Sequence, residues 1–90
     1  MMQNEDVVVI NALYKHYKGG IYRVLLTAVN EVNGEPVVAY VDAKTGIMYV
    51  RPLEAFLGNT EDGERRFDRL VKSKYTIVER NGIKVGIINN

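Results

Sequence analysis

The segment that decides the fold is "IYRVLLTAVNEVNGEPVVAYVDAKTGIMYVR" (residues 21–51), in which apolar runs alternate with turn residues. Its first run, 21–32, is rich in β-branched and aliphatic residues, which favours a β-strand. Asn33-Gly34 follows and predicts a hairpin turn, because both residues accept a positive φ. A second strand-like run at 36–43 and a tight turn at 44–46 lead to a third run. The segment therefore predicts a three-stranded antiparallel meander.

Directly after the meander, the spacing of the apolar residues becomes helical. In "PLEAFLG" (52–58) they recur at i, i+3 and i+4, with a proline at the start and a glycine at the end. We therefore expect one short helical turn at 52–58. The same spacing of Phe67, Leu70 and Val71 predicts that part of the charged stretch 60–73 is a second short helix.

The C-terminal part of the chain again has the pattern of strands. Two strand-like runs flank the Asn81-Gly82 turn and predict a C-terminal hairpin over 75–88, and Val7–Ile10 can add one more strand. Ninety residues leave no room for a second core, so residues 1–90 are expected to form a single domain. Five or six short strands with one helical turn predict a mainly β fold. The expected architecture is a small antiparallel barrel or roll, SH3-like by analogy.

The residue counts exclude several classes of function. The chain has 12 basic and 11 acidic side chains, and a formal charge of +1 argues against a dedicated nonspecific nucleic-acid binder. It has no cysteine and a single histidine, His16, which excludes disulfides, thiolate sites and zinc sites with several imidazoles. We expect neither a metal nor a cofactor. The apolar run at 7–10 is too short for a signal peptide or a membrane span, so a cytoplasmic location is expected.

The stretch "YKHYKGGIYR" (14–23) combines aromatic, basic and glycine residues without an acid. On a strand, Tyr14, His16 and Lys18 would project from one face as a row that can stack a base and hold a phosphate nearby. Gly19-Gly20 would let a ligand approach the backbone amides. The competing interpretation is structural: tyrosines that pack the barrel ends, solvated lysines, and glycines that only turn the chain.

Two further basic features have alternative interpretations. Arg51 lies between an apolar strand and a proline, and it is predicted either to bind a phosphate or carboxylate or, slightly favoured, to pair internally with Glu54 or Glu35. The densest basic stretch lies at 65–74 and is either a solvated face or an electrostatic contact with nucleic acid or an acidic partner. No orienting carboxylate is visible near His16, so a catalytic role is not expected.

Three motifs together resemble a known family. They are "YKHYKGGIYRVL" (14–25), "VRPLEAF" (50–56) and "GERRF" (63–67). They resemble a small bacterial and phage family that is known only as a domain of unknown function. The resemblance implies a family-like core over 14–67, with the hairpin at 75–88 as an addition, and it implies no activity.

These observations together predict a non-enzymatic cytoplasmic binding module with an aromatic-basic patch. The expected ligand is single-stranded nucleic acid or a nucleotide-like phosphate compound, with tyrosines stacking bases and cations holding phosphate. The predicted ligand-binding residues are Tyr14, His16, Lys18, Gly19, Tyr22, Arg23, Arg51 and Arg66.

The alternative is a protein-interaction or homo-oligomerising module. In that case the C-terminal hairpin would present an exposed edge strand for pairing with another chain. Replacing Val85 or Ile87 by lysine would then abolish a dimer. A third hypothesis, a minor enzyme, requires a pocket in which His16 meets a carboxylate.

Overall fold

In the computed structural model, which describes residues 7–89, the chain forms a mainly β domain of eight strands and one short helix. The mainly β fold class is confirmed, with more strands than expected. The strands are β1 (Val8–Ile10), β2 (Leu13–His16), β3 (Ile21–Val29), β4 (Pro36–Asp42), β5 (Met48–Pro52), β6 (Phe67–Arg69), β7 (Tyr75–Arg80) and β8 (Ile83–Ile88), and the helix is α1 (Leu53–Leu57). They form a five-stranded sheet of order β5-β4-β3-β2-β6 and a three-stranded sheet of order β1-β8-β7. Neither sheet closes into a barrel over the described residues, which corresponds to the roll alternative.

The predicted meander is confirmed as β3, β4 and β5, which pair antiparallel. Its first turn is wider than Asn33-Gly34 alone, because β3 ends at Val29 and the Asn30 N–H donates to the Glu35 carbonyl at 2.8 Å. A register shift within β3 interrupts the pairing with β4, and such an irregularity increases the local twist of a sheet. The meander therefore bends around the core.

The three-stranded sheet pairs an early strand with the C-terminal hairpin. The hairpin is confirmed as β7 and β8, but β1 joins the other side of β8 in a parallel pair, so the expectation of an antiparallel arrangement fails for this strand. β8 is thus a central strand, and its Val85 is completely buried. Replacing Val85 or Ile87 would damage the core rather than an edge. The hairpin's edge strand is β7, on which Ile77 is 43% exposed.

The charged stretch after α1 is not helical. α1 forms as predicted and buries Phe56 completely. The second predicted helix is wrong, because this part of the chain forms β6 and pairs with β2 in the register His16–Phe67. Leu70 and Val71, which completed the helical spacing, are 46% and 62% exposed. A helix there would bury no apolar stripe, whereas β6 satisfies the backbone groups at the edge of β2.

Tyr14 connects the two sheets. Its hydroxyl accepts the Val9 N–H of β1 at 3.0 Å, and its ring packs edge-on against Phe56 at 5.1 Å between centroids. All three residues belong to one hydrophobic cluster with side chains from both sheets. The two sheets therefore share a single core.

Candidate functional site

A pocket of about 230 Å³ lies on the face of the five-stranded sheet that also contributes to the core. We call it the aromatic pocket. It is lined by four aromatic rings, an imidazole and a guanidinium, which belong to Tyr22, Tyr40, Tyr49, Phe67, His16 and Arg51. Three members of the predicted ligand-binding set, on β2, β3 and β5, are thus brought together: His16, Tyr22 and Arg51.

Strand register places the lining side chains on one face. Cross-strand partners share a face of a sheet, and the ladders pair Tyr40 with Tyr49 and His16 with Phe67. The tight turn at 43–46 determines the first pair, because turn length sets the register of a hairpin. The second pair depends on β6 joining the edge of β2.

The tyrosine rings pack against each other and against Phe67. Tyr22 meets Tyr40 edge-to-face at 5.4 Å and 85°, and Tyr49 at 6.1 Å and 80°. It meets Phe67 at 5.8 Å and 76°. Tyr40 and Tyr49 are closer to parallel, at 25° and 5.8 Å. These geometries are favourable for aromatic pairs, so the walls of the pocket are pre-formed.

Arg51 brings a positive charge to the pocket. Its Nε donates to the Tyr40 hydroxyl at 3.3 Å, and its guanidinium carbon lies 5.6 Å from the centroid of the Phe67 ring. The internal pair with Glu54 or Glu35, slightly favoured from the sequence, is not formed among residues 7–89. Aromatic side chains rather than a carboxylate hold this guanidinium, so its charge is available to an anionic ligand.

His16 borders the pocket in its neutral form. The backbone N–H of Lys18 donates to its Nδ1 at 3.1 Å, which assigns the ring proton to Nε2. Burial, followed by the positive charges of Arg51, Lys18 and Arg66, lowers the pKa of His16 below its ordinary value. The histidine therefore offers an N–H donor rather than a base.

The two glycines after β2 shape the wall of the pocket. A Cβ on Gly20 would lie 2.8 Å from both Cε2 and the hydroxyl oxygen of Tyr22, so the tyrosine ring occupies the space that a side chain would need. Gly19 has a φ of 122°, a conformation that favours glycine. Its N–H donates to the His16 carbonyl at 2.8 Å and is not free to hold a phosphate.

The other five residues of the predicted set, Arg66 included, lie outside the lining of the aromatic pocket. Tyr14 belongs to the core, with 3% of its surface exposed. Lys18 and Gly19 lie in the turn after β2, where the Lys18 Nζ is 5.7 Å from the centroid of the neighbouring Tyr17 ring. Arg23 points to the opposite face of the sheet and donates from Nη1 to the Asn11 carbonyl at 2.7 Å.

Arg66 is the fifth of these residues, outside the lining but next to a lining residue in the chain. Its charge acts on His16, and the residue that follows it, Phe67, lines the pocket. Its Nε is buried and has no hydrogen-bond partner among the described residues. Arg66 therefore adds to the positive potential on the histidine side of the pocket.

Three lining residues were missed as ligand-binding candidates in the sequence: Tyr40, Tyr49 and Phe67. A partial signal existed for the first two, because they lie on the two predicted strands that flank the tight turn. The turn spans 43–46 rather than the predicted 44–46, and this difference places Tyr40 opposite Tyr49. No comparable signal existed for Phe67. Its spacing to later apolar residues indicated a helix, and only the pairing of β6 with β2 brings it beside His16.

Two structural features are not found in residues 7–89. No group of three or more histidine, cysteine, aspartate or glutamate side chains is placed to hold a metal ion in this part of the chain. The same residues contain no helix whose length and apolar character would let it cross a membrane.

The part of the chain that matches a known family contains the whole aromatic pocket. No curated protein and no solved structure is significantly similar to the chain. A family model does match: residues 12–71 correspond to DUF1653, which is described as a protein of unknown function. This range spans most of the chain and includes all six residues that line the pocket, while β7 and β8 lie outside it. The chain therefore belongs to the DUF1653 family.

Proposed function

We propose that this protein is a non-enzymatic binding module that holds a nucleotide-like ligand in the aromatic pocket. The ligand is either a free nucleotide or one nucleotide of a single-stranded nucleic acid. The observation that carries the proposal is the combination of pre-formed aromatic walls with the guanidinium of Arg51 in one small pocket. Aromatic rings stack on any base, and a guanidinium pairs with phosphate through two hydrogen bonds.

The size of the pocket favours a ligand group of one ring system. Pockets for drug-sized molecules measure about 300–1,000 Å³, and the aromatic pocket, at about 230 Å³, is smaller. A single base can enter, while the sugar and phosphate stay at the rim. Tyr49 is 40% exposed and is the wall residue best placed to close on such a base.

A binding role fits the chemistry of His16 better than a catalytic one. A general base needs an open acceptor nitrogen and a group that orients the ring. In His16 the acceptor nitrogen already accepts the Lys18 N–H. The remaining Nε2–H can donate a hydrogen bond to a base or phosphate oxygen without any proton transfer.

The test is an amide-resolved NMR titration with adenosine, adenosine monophosphate and short mixed-sequence RNA and DNA, at low and near-physiological salt. We expect shifts clustered at the six lining residues that persist at the higher salt. Tyr49→Ala should abolish them, while Arg23→Met, on the opposite face of the sheet, should leave them in place. Diffuse shifts that vanish with salt, or equal losses in both variants, would contradict the proposal.

A second candidate function is self-association through an edge strand. The supporting observation is that β7 is an edge of its sheet and exposes Ile77. We then expect a dimer whose mass depends on concentration and which Ile77→Lys disrupts. Val32→Lys, at a residue that is 89% exposed in a turn, is the matched control. A constant monomer mass at all concentrations would exclude this candidate.

A further inference from the structure

A second and larger cavity, of about 640 Å³, lies between the two sheets. We call it the basic groove. It shares no lining residue with the aromatic pocket. Residues in or beside the strands of both sheets, and in the segment that joins β6 to β7, line it: Val7, Tyr14, Arg65, Asp68, Arg69, Lys72, Ser73, Lys74, Tyr75 and Asn89.

The groove concentrates positive charge. Four of its lining residues are cationic and one is a carboxylate, an excess of three positive charges in a chain whose formal charge is +1. The carboxylate, Asp68, lies 4.0 Å from the Lys72 Nζ, and both side chains are 66% exposed. Such an exposed pair is weak, so it does not prevent Lys72 from contacting a ligand. Arg69, Lys72 and Lys74 can therefore present their charges to an anionic ligand in the groove.

Arg69, one of the lining residues of the groove, is held in position by two neighbours. Its Nη1 donates to the Ser73 carbonyl at 3.1 Å, and its guanidinium carbon lies 5.0 Å from the centroid of the Tyr75 ring. A guanidinium has five N–H donors, and this one hydrogen bond does not use them all. Because the ring and the carbonyl fix its plane, the guanidinium loses little freedom when an anion binds.

The positive field extends to the tyrosine that forms the inner wall. Burial raises the pKa of the Tyr14 hydroxyl, and the charges of Arg69 and Arg65 act in the opposite direction. Both guanidinium groups therefore lie close enough to Tyr14 for their charges to act on its hydroxyl. The Tyr14 hydroxyl itself is occupied by the Val9 N–H and serves as part of the wall.

We propose that the basic groove binds a ligand with two or more adjacent phosphate groups. One phosphate would fill only part of a cavity of about 640 Å³, which lies in the range of sites for whole small molecules. The guanidinium of Arg69 provides a bidentate contact, while Lys72 and Lys74 act as mobile point charges along the groove. Adjacent phosphates occur both in polyphosphate compounds and in the phosphodiester backbone of a nucleic acid.

The experiment compares two double variants of the full chain. Lys72→Met with Lys74→Met removes two charges from the groove, and Lys44→Met with Lys84→Met removes two from exposed sites elsewhere. Isothermal titration calorimetry at near-physiological salt would measure the binding of inorganic triphosphate and of a thymidine hexanucleotide. The groove variant should lose about tenfold or more in affinity for the ligand that binds, because adjacent cations act together on adjacent phosphates. The affinity of the control variant should stay within about twofold of that of the wild type.

The two ligands distinguish the sources of the phosphates. Tighter binding of triphosphate would assign the groove to polyphosphate compounds, and tighter binding of the hexanucleotide would assign it to a nucleic-acid backbone. The proposal is overturned if neither ligand binds, or if both double variants lose the same affinity. Tyr49→Ala should leave triphosphate binding unchanged, because Tyr49 lines only the aromatic pocket. The proposal for the aromatic pocket and the proposal for the basic groove can therefore be refuted independently of each other.

Discussion

The Nε of Arg51 donates to the Tyr40 hydroxyl at 3.3 Å, so a residue at the edge strand β5 is anchored to its neighbour β4. The guanidinium carbon also lies 5.6 Å from the Phe67 ring centroid, which brings in β6 from the opposite edge of the same sheet. Arg51 thus contacts side chains from two strands that are far apart in the sheet order. Its position depends on aromatic partners rather than on a carboxylate.

Replacing Arg51 by lysine should show whether ligand binding depends on the positive charge alone or also on the planar shape of the guanidinium. Lysine keeps the charge but loses the planar fork and the contact with the Phe67 ring. We expect calorimetry to show about a tenfold loss of affinity for adenosine monophosphate and little change for adenosine, since only the former carries a phosphate. Equal losses for both ligands would mean that Arg51 only shapes the pocket. Tyr40→Phe, which removes the anchor alone, should have a smaller effect than Arg51→Lys.

His16 should make the protein less stable in mild acid. Its pKa in the folded state is lowered, so below about pH 6.5 the unfolded chain binds a proton that the folded protein resists. The neutral imidazole therefore makes its full contribution to the free energy of unfolding above that pH. This contribution is lost as the pH falls through the lowered pKa. Thermal melts of the wild type between pH 7.5 and 5.5 should show a steeper decline than those of His16→Gln. An identical pH dependence of the melting temperature in both proteins would show that His16 does not contribute to the loss of stability in acid.

Gly20 should control the position of Tyr22. An alanine Cβ there would lie 2.8 Å from the tyrosine ring, so the ring must move. We expect Gly20→Ala to shift the side-chain NMR resonances of Tyr22 and to weaken binding of adenosine monophosphate several-fold. Lys18→Ala, in the same turn but exposed, is the control and should do neither. Unchanged Tyr22 resonances in Gly20→Ala would contradict the contact.

Tyr14 should contribute to stability and not to ligand binding in the aromatic pocket. Tyr14→Phe keeps the ring against Phe56 but leaves the Val9 N–H without its acceptor in a buried place. Urea denaturation should show a loss of about 1–3 kcal/mol, the usual cost of an unsatisfied buried group. Tyr17→Phe, at a residue that is 38% exposed, should change stability by much less. Loss of adenosine monophosphate binding in a folded Tyr14→Phe variant would show that Tyr14 also serves the pocket.

The predicted ligand-binding residues show how far the alternation of side chains along a strand can predict where each side chain lies. His16 and Tyr22 do reach one pocket, while Tyr14, two residues before His16 on the same face, is enclosed in the core. Alternation identifies the face of a strand, but it does not tell how far along that face the core extends. That limit depends on β1, which lies over one end of the five-stranded sheet through the Tyr14–Val9 hydrogen bond.

The sequence by itself determined the parts of the fold that depend on neighbours along the chain. The meander over 21–51, the helical turn at α1 and the hairpin of β7 and β8 are each specified by turn residues and by alternating or helical spacing within one segment. It also determined which residue types are present, and so which chemistries are available: aromatic and cationic side chains with one histidine and no thiol.

Only the tertiary structure decided the pairings between distant segments. The parallel pair of β1 with β8 joins opposite ends of the described chain, and the pair of β6 with β2 overrides the helical spacing of Phe67. The contact of Arg51 with Phe67, and the basic groove between the sheets, follow from these pairings. Such long-range contacts are selected by the apolar surface that they bury and the backbone groups that they satisfy. Because this surface is buried and these groups are paired only when the distant segments meet, the spacing of residues within one segment cannot predict such contacts.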